Sequence, residues 1–145
     1  MNQLDFYRKI KPFIEVTRNI LRDLSIDPKQ MERPTPSSIS WEMEDSNGIQ
    51  IKIELHQRDD GEVFFAFTFF YPKWELSPRF YEWLLDRTSS MNFARLQLLK
   101  NETKKMIVME VAGVLWLTVQ GYGELLQYLL SELSVEINEE LKKIA

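Results

Sequence analysis

The chain has 145 residues, 44% hydrophobic and 28% charged, a composition typical of one globular domain (residues 1–145) that buries its own core. Its net charge is -4, from 18 basic and 22 acidic residues, and this acidity argues against a nucleic-acid surface. Cysteine is absent, which excludes disulfides, thiol nucleophiles and cysteine-based metal sites.

The first predicted element is an amphipathic helix from Leu4 to Leu24, because apolar residues recur near a 3.6-residue period. The residues on this period are Phe6, Ile10, Phe13, Ile14, Thr17, Leu21 and Leu24. Pro12 removes one backbone donor, so we expect either a kink there or a helix that begins near it. The stretch that follows, "SIDPKQMERPTPSS", contains three prolines and is expected to be a surface linker.

Three strands are predicted next. In "ISWEME" and "IQIKIELH" apolar residues alternate with polar ones, as in strands with one face on a core. The pair Asn47-Gly48 between them is a strong hairpin signal, because both residues tolerate positive φ. The turn "RDDG" then leads into "GEVFFAFTFFYPKW". The third strand's core face is expected to comprise Val63, Phe65, Phe67, Phe69 and Tyr71.

The second half is expected to contain a helix, two strands and a long helix. Ser77 and Pro78 are typical of the N-cap and first turn of a helix that continues through "RFYEWLLDRT". "MNFARLQLL" and "KMIVMEVAG" predict two strands joined by the polar turn "KNETK". Thr118 opens the terminal helix, in which Gly121 and Gly123 each cost up to about 1 kcal/mol relative to alanine. Its apolar positions are Tyr122, Leu125, Leu126, Leu129, Leu130, Leu133, Ile137 and Leu141.

This order, α-β-β-β-α-β-β-α, predicts an α+β fold with a mainly antiparallel five-stranded sheet. The order resembles the YbjN family and the wider type III secretion chaperone-like fold. The stretches that carry the likeness are "LLDRTSSMNFARLQL", the strand pair around "NETKK", and "LTVQGYGELL". The resemblance implies a dimeric, acidic, cytoplasmic protein that binds other polypeptides, which in the secretion chaperones lie extended across apolar patches. It supplies no catalytic residue.

Motifs for chemistry are sparse. His56, the only histidine, is expected on a polar strand face beside Lys52 and Glu54, where a solvated side chain is the simplest interpretation. Glu42, Glu44 and Glu54 fit a solvated outer face, and "GYG" lacks the context of a dinucleotide fingerprint. We expect no catalytic, cofactor or metal site, and no enzyme. The N-terminus lacks a signal-peptide layout and no apolar run is long enough to span a membrane, so we expect a cytoplasmic protein.

The third strand raises a question, because its second face also carries two aromatic residues, Phe64 and Phe70. Three explanations stay open: the second helix, with Tyr81 and Trp83, covers that face; a second copy covers it; or it is a groove for a partner segment. The candidate dimer or partner surface is Phe64, Phe70, Trp74, Tyr81 and Trp83.

The leading functional hypothesis is a non-enzymatic protein-binding module whose partner is another polypeptide or itself, with no nucleic acid and no membrane. The first alternative is a small-molecule binder or enzyme with a pocket between the sheet and the helices. The second alternative is a structural subunit of a larger assembly.

Overall fold

The structure, a computed structural model, describes residues 3–45, 48–71, 78–89, 91, 94–100, 105–115 and 118–144. The first half contains α1 (Gln3–Asp23), α2 (Pro28–Met31), β1 (Glu32–Thr35), β2 (Ser38–Glu44), β3 (Gln50–Gln57) and β4 (Val63–Tyr71). The second half contains α3 (Pro78–Thr88), β5 (Ala94–Lys100), β6 (Lys105–Val114) and α4 (Val119–Gln127), followed by a π-helical segment (Tyr128–Leu133) and α5 (Ser134–Ile144). Among these residues, no helix is long and apolar enough to cross a membrane.

The strands form one antiparallel sheet in the order β1-β2-β3-β4-β6-β5. This confirms the α+β class, but the expected number of five strands is wrong, because the described residues alone form six. The additional strand, β1, lies within the stretch predicted to be a linker. The sequence did not predict this strand because Pro34 lies within it and proline is rare in strands. The proline is tolerated because β1 is an edge strand, where its missing N–H removes no ladder hydrogen bond.

The free edge of β1 has few hydrogen-bond donors. In an antiparallel pair, alternate residues direct their amides away from the partner strand. Glu32 and Pro34 occupy these outward positions: the Glu32 N–H donates to the Pro28 carbonyl, and Pro34 has no N–H. This edge therefore presents no unused amide donor at either position.

The hairpin between β2 and β3 forms where the sequence predicts it. Gly48 has a φ of 81° and donates its N–H to the Asp45 carbonyl at 3.1 Å, while the Asp45 N–H donates to the Ile49 carbonyl at 2.9 Å. Asn47 lies outside the described residues, as do Ser77 and the turn at 101–104. The elements on either side, α3 from Pro78 and the β5–β6 pair, are confirmed.

The core lies between one face of the sheet and the helices. The predicted face of β4, Val63 to Tyr71 in alternate positions, is buried. Tyr122 of α4 packs against Phe67 with ring centroids 5.4 Å apart and against Phe13 of α1 at 5.3 Å. At the far end of the strand, Tyr71 contacts Phe80 of α3 at 5.9 Å. The described contacts of α1, α3 and α4 with the sheet thus lie on a single face, called here the helical face.

Helix α1 runs through Pro12, so the alternative that a helix begins near this residue is wrong. Leu24 does not belong to the buried stripe as predicted, since the helix ends at Asp23 and the chain reverses at Ser25, whose φ is 63°. Leu24 is therefore exposed. Thr17 is the polar member of the stripe: its hydroxyl donates to the Phe13 carbonyl at 2.8 Å and also forms a 2.7 Å hydrogen bond with the Tyr122 hydroxyl.

The terminal helix begins as predicted, because the Thr118 hydroxyl accepts the Gly121 N–H at 3.0 Å. Gly123 has a role that propensity alone does not reveal: a Cβ atom there would lie 2.9 Å from Val16 Cγ1 on α1. The glycine allows close approach of α1 and α4. No local pattern predicts the π-helical segment, which continues the buried stripe through Leu129 and Leu133.

Candidate functional site

The candidate site is the outer face of the sheet, opposite the helical face. Alternation along each strand and the strand register place its residues in rows. Strand β4 contributes Phe64, Ala66, Thr68 and Phe70, all partly buried; β6 contributes Val108, Glu110, Ala112 and Val114; β3 contributes Gln50, Lys52, Glu54 and His56. The described contacts of α1, α3 and α4 lie on the helical face, whereas Met31 of α2 borders a groove beside Phe70 on the outer face.

Phe64 is partly covered by polar side chains of its own chain. Its ring stacks on His56 with centroids 5.5 Å apart and planes at 15°, and the Arg58 guanidinium carbon lies 4.6 Å from the ring centroid. A cation over an aromatic ring contributes about 0.5–1 kcal/mol at an exposed site. Phe64 is therefore neither open to solvent nor packed in an apolar environment.

Phe70 lies at the other end of the same column, on an open groove of about 600 Å³. The groove is lined by charged and polar residues of β2 and β3 and by apolar side chains, among them Met31 and Met43. Val108, which is opposite Phe70 on β6, is only 5% exposed. The column of Phe64, Ala66, Thr68 and Phe70 with its β6 neighbours is thus a mainly apolar strip, interrupted by Thr68 and Glu110 and flanked by polar side chains of β3.

Helix α3 lies on the other side of the sheet. Phe80 contacts Tyr71 on the helical face, Trp83 stacks near Phe80 at 6.2 Å, and Arg87 of the same helix pairs with Glu136 of α5 at 3.0 Å. Tyr81 and Trp83 are partly buried against the core. The structure therefore brings Phe64 and Phe70 to one face and Tyr81 and Trp83 to the other, and its described contacts place α3 away from the outer face. Trp74 lies outside the described residues.

One row of the outer face, from β2 to β5, carries a charged side chain on four of its five strands. The register aligns Glu42, Lys52, Thr68, Glu110 and Arg95 on β2, β3, β4, β6 and β5. Within the chain, Lys52 Nζ lies 4.0 Å from Glu42 and 3.6 Å from Glu54, and Arg95 pairs with Glu110 at 2.8 Å. Sequence reasoning identified Glu42 and Lys52 as solvated but missed this row, because its continuation depends on β6 lying beside β4.

A second polar cluster joins α1 to the sheet edge. Arg18 donates two hydrogen bonds to the Glu32 carboxylate, at 2.6 and 3.2 Å, and Trp41 Nε1 donates a third at 3.1 Å. Burial raises the pKa of Glu32, but the hydrogen bonds from Arg18 and Trp41 outweigh it and hold this pKa below its ordinary value. The cluster borders an open groove of about 530 Å³ between α1 and β1–β2, whose rim carries Arg8 and Lys11.

The side chains that could bind a metal ion lie apart in the described part of the chain. No three His, Asp or Glu side chains there lie close enough to hold a metal ion. His56 Nδ1 lies 3.5 Å from Glu54 Oε1 on the outer face, and Glu42 and Glu44 are exposed. This face therefore offers apolar side chains of β4 for contact with a partner, flanked by charged side chains of the neighbouring strands.

Comparison of the chain with protein-family models, with curated proteins and with solved structures finds no match. Function is therefore inferred from the outer face and from the groove beside α1.

Proposed function

We propose that the chain is a non-enzymatic, cytoplasmic protein-binding module whose outer sheet face receives another polypeptide or a second copy. The observation that supports the proposal is the pair of partly exposed rings, Phe64 and Phe70, on the sheet face opposite the described contacts of α1, α3 and α4. A likeness to YbjN proteins and type III secretion chaperones, inferred from element order, agrees with this role. The same likeness also motivates a dimer.

The energetics favour an occupant on this strip. Fully burying a phenylalanine side chain stabilises by roughly 1.5–3 kcal/mol relative to leaving it exposed. Phe64 and Phe70 obtain only part of that gain within the chain, because both remain partly exposed. A partner that covers both rings obtains the remainder, and the flanking charges keep the free protein soluble and restrict which partners fit.

Single substitutions at each end of the strip test the proposal. Phe64→Glu and Phe70→Glu place a charge on the strip and are expected to abolish partner capture or self-association while the folded state persists. The matched controls are Leu85→Glu and Val135→Glu, which change apolar side chains that are 49% and 54% exposed on helices of the other side. Size-exclusion chromatography and pull-down from native lysate report the outcome. Unchanged partners and unchanged oligomer state in both outer-face variants would refute this surface.

A second candidate function is a small-molecule binder that uses the groove between α1 and β1–β2. The specific observation is a partly buried, ionised carboxylate, Glu32, beside two cationic side chains, Arg8 and Lys11, on a groove of about 530 Å³. Because the pKa of Glu32 is lowered, it serves as an acceptor and not as a proton donor near neutral pH. A thermal-shift screen of anionic metabolites against wild type and an Arg8→Ala/Lys11→Ala variant tests it; a ligand that stabilises both equally argues against the groove.

A further inference from the structure

The charged row of the outer face has a symmetry that a surface for an unrelated partner does not require. Read across the sheet, Glu42, Lys52, Thr68, Glu110 and Arg95 carry the charges minus, plus, zero, minus and plus. Strands on either side of β4 are equally spaced, so positions to the left of Thr68 have counterparts at equal distance to the right. Each counterpart carries the opposite charge. The row is therefore antisymmetric about β4.

An antisymmetric row is complementary to its own copy. When a second sheet is turned face to face by a two-fold axis that runs along β4, every strand to the left of β4 lies over the strand at the same distance to the right. Lys52 then faces the partner's Glu110, and Glu42 faces the partner's Arg95. Both pairs occur twice, because the contact is the same from either side.

We propose that the occupant of the outer face is a second copy of this chain, packed sheet against sheet about a two-fold axis along β4. This inference rests on the proposed function and names its partner. Around the axis, the Phe70 rings of the two copies approach one another, and the Phe64 rings come close beside the Arg58 and His56 side chains that contact them in each chain. Val114 of β6, which is partly exposed, lies over β3 of the partner.

The arrangement tolerates the twist of real sheets. Facing sheets lie about 10 Å apart and cross at about 30°, so strands about 4.8 Å from the axis shift by only about 2.4 Å along their length. Lys52 and Glu110 have side chains long enough to meet across that shift. Glu42 and Arg95, twice as far from the axis, shift by about 5 Å, and their pair is correspondingly looser.

The charges also enter such an interface already paired. Lys52 has Glu42 and Glu54 beside it, and Arg95 has Glu110. Association therefore joins existing ion pairs into larger networks and leaves none of these charges without a partner, which limits the desolvation penalty.

A two-fold axis perpendicular to the strands is the main alternative for a second copy. It would place Lys52 over the partner's Glu54, and it would leave Glu42, Glu110 and Arg95 without opposite charges across the interface. The axis perpendicular to the strands thus forms one kind of charge pair between the two copies, whereas the axis along β4 forms two. The two arrangements differ in which substitution rescues a reversed Lys52.

Charge reversal followed by sedimentation equilibrium tests the inference. The wild type is expected to dimerise reversibly from its 17.3 kDa monomer. Lys52→Glu and Glu110→Lys should each weaken the dimer by about tenfold or more, because each sets like charges opposite one another twice. The double variant Lys52→Glu/Glu110→Lys should recover most of the lost affinity, although its reversed charge on β3 then lies between Glu42 and Glu54 of the same chain. Lys142→Glu and Glu139→Lys, exposed on α5, are the charge-matched controls and should have no effect.

Three results would overturn the inference. A wild type that stays monomeric at the highest soluble concentration refutes the second copy, while the protein-binding proposal stands if Phe64→Glu still abolishes capture of a partner. Single reversals that leave the dimer intact refute the arrangement. Rescue of Lys52→Glu by Glu54→Lys and not by Glu110→Lys places the axis across the strands.

Discussion

Gly123 gives the sharpest stability prediction. In an isolated helix, replacing this glycine with alanine would stabilise the helix by up to about 1 kcal/mol. In this fold the new Cβ atom would lie 2.9 Å from Val16 Cγ1 of the neighbouring helix. We therefore expect Gly123→Ala to destabilise the protein, against the direction that helix propensity predicts.

The magnitude follows from the contact. Carbon atoms pack best about 3.5–4.0 Å apart, so α1 and α4 would have to separate by about 0.6–1.1 Å at this point. Val16 cannot rotate out of the way cheaply, because valine in a helix has one strongly preferred rotamer. Overpacking of this kind costs about 1–3 kcal/mol, and the propensity gain offsets up to about 1 kcal/mol, which leaves a net loss of about 0–3 kcal/mol.

A double-mutant cycle separates the contact from other effects. Urea unfolding followed by circular dichroism gives the free energy of unfolding of Gly123→Ala, Val16→Ala and the double variant. Because Val16→Ala removes the clashing methyl group, the double variant should lose at least about 1 kcal/mol less than the sum of the single losses. A second cycle with the distant, exposed Val135→Ala should be additive. A stabilising Gly123→Ala, or additivity with Val16→Ala, would show that the helices do not touch there.

Two further predictions concern a partly buried carboxylate, Glu32, and a buried hydroxyl, that of Tyr71. Glu32→Gln should cost about 1–3 kcal/mol of unfolding free energy at pH 7, since it weakens charge-assisted hydrogen bonds from Arg18 and Trp41. Because the pKa of Glu32 is lowered in the folded state, its contribution is complete above the ordinary glutamate pKa and is lost as the pH falls through the lowered value. The difference in free energy of unfolding between wild type and Glu32→Gln, measured by urea unfolding, should therefore decrease below about pH 4. A difference that stays constant with pH would contradict a lowered pKa for Glu32. The Tyr71 hydroxyl is buried and has no hydrogen-bond partner among the described residues, so Tyr71→Phe should be neutral or stabilising by up to about 1 kcal/mol in the same assay; a clear loss would reveal a partner.

Hydrophobic periodicity predicted most of the elements correctly. The buried stripe of α1 from Phe6 to Leu21, the core face of β4 and the start of the terminal helix at Thr118 all follow from local patterns. Strand β1 does not, because a four-residue edge strand with a proline has no alternation to detect. The π-helical segment escapes detection for a different reason: its hydrogen bonds shift by one residue without changing the apolar spacing enough to notice.

Some features of the candidate site likewise follow from the local sequence, and others do not. That Phe64 and Phe70 share a face with Lys52 follows from alternation alone. The row that joins Lys52 to Glu110 requires the strand order, in which β6 and not β5 pairs with β4. The Arg18–Glu32 pair requires the position of β1 relative to α1. Long-range pairing fixed both features, and no local signal in the sequence contains it.

The composition of strand β1 also limits how many copies of this sheet can join edge to edge. Addition of a strand requires amide donors on the receiving margin, and on β1 the two outward positions are occupied by a used N–H and by a proline. The other edge strand, β5, is left for such strand pairing. In two sheets paired through β5, both free edges would be β1 strands. Strand addition would therefore stop at the dimer and would not continue into a fibre.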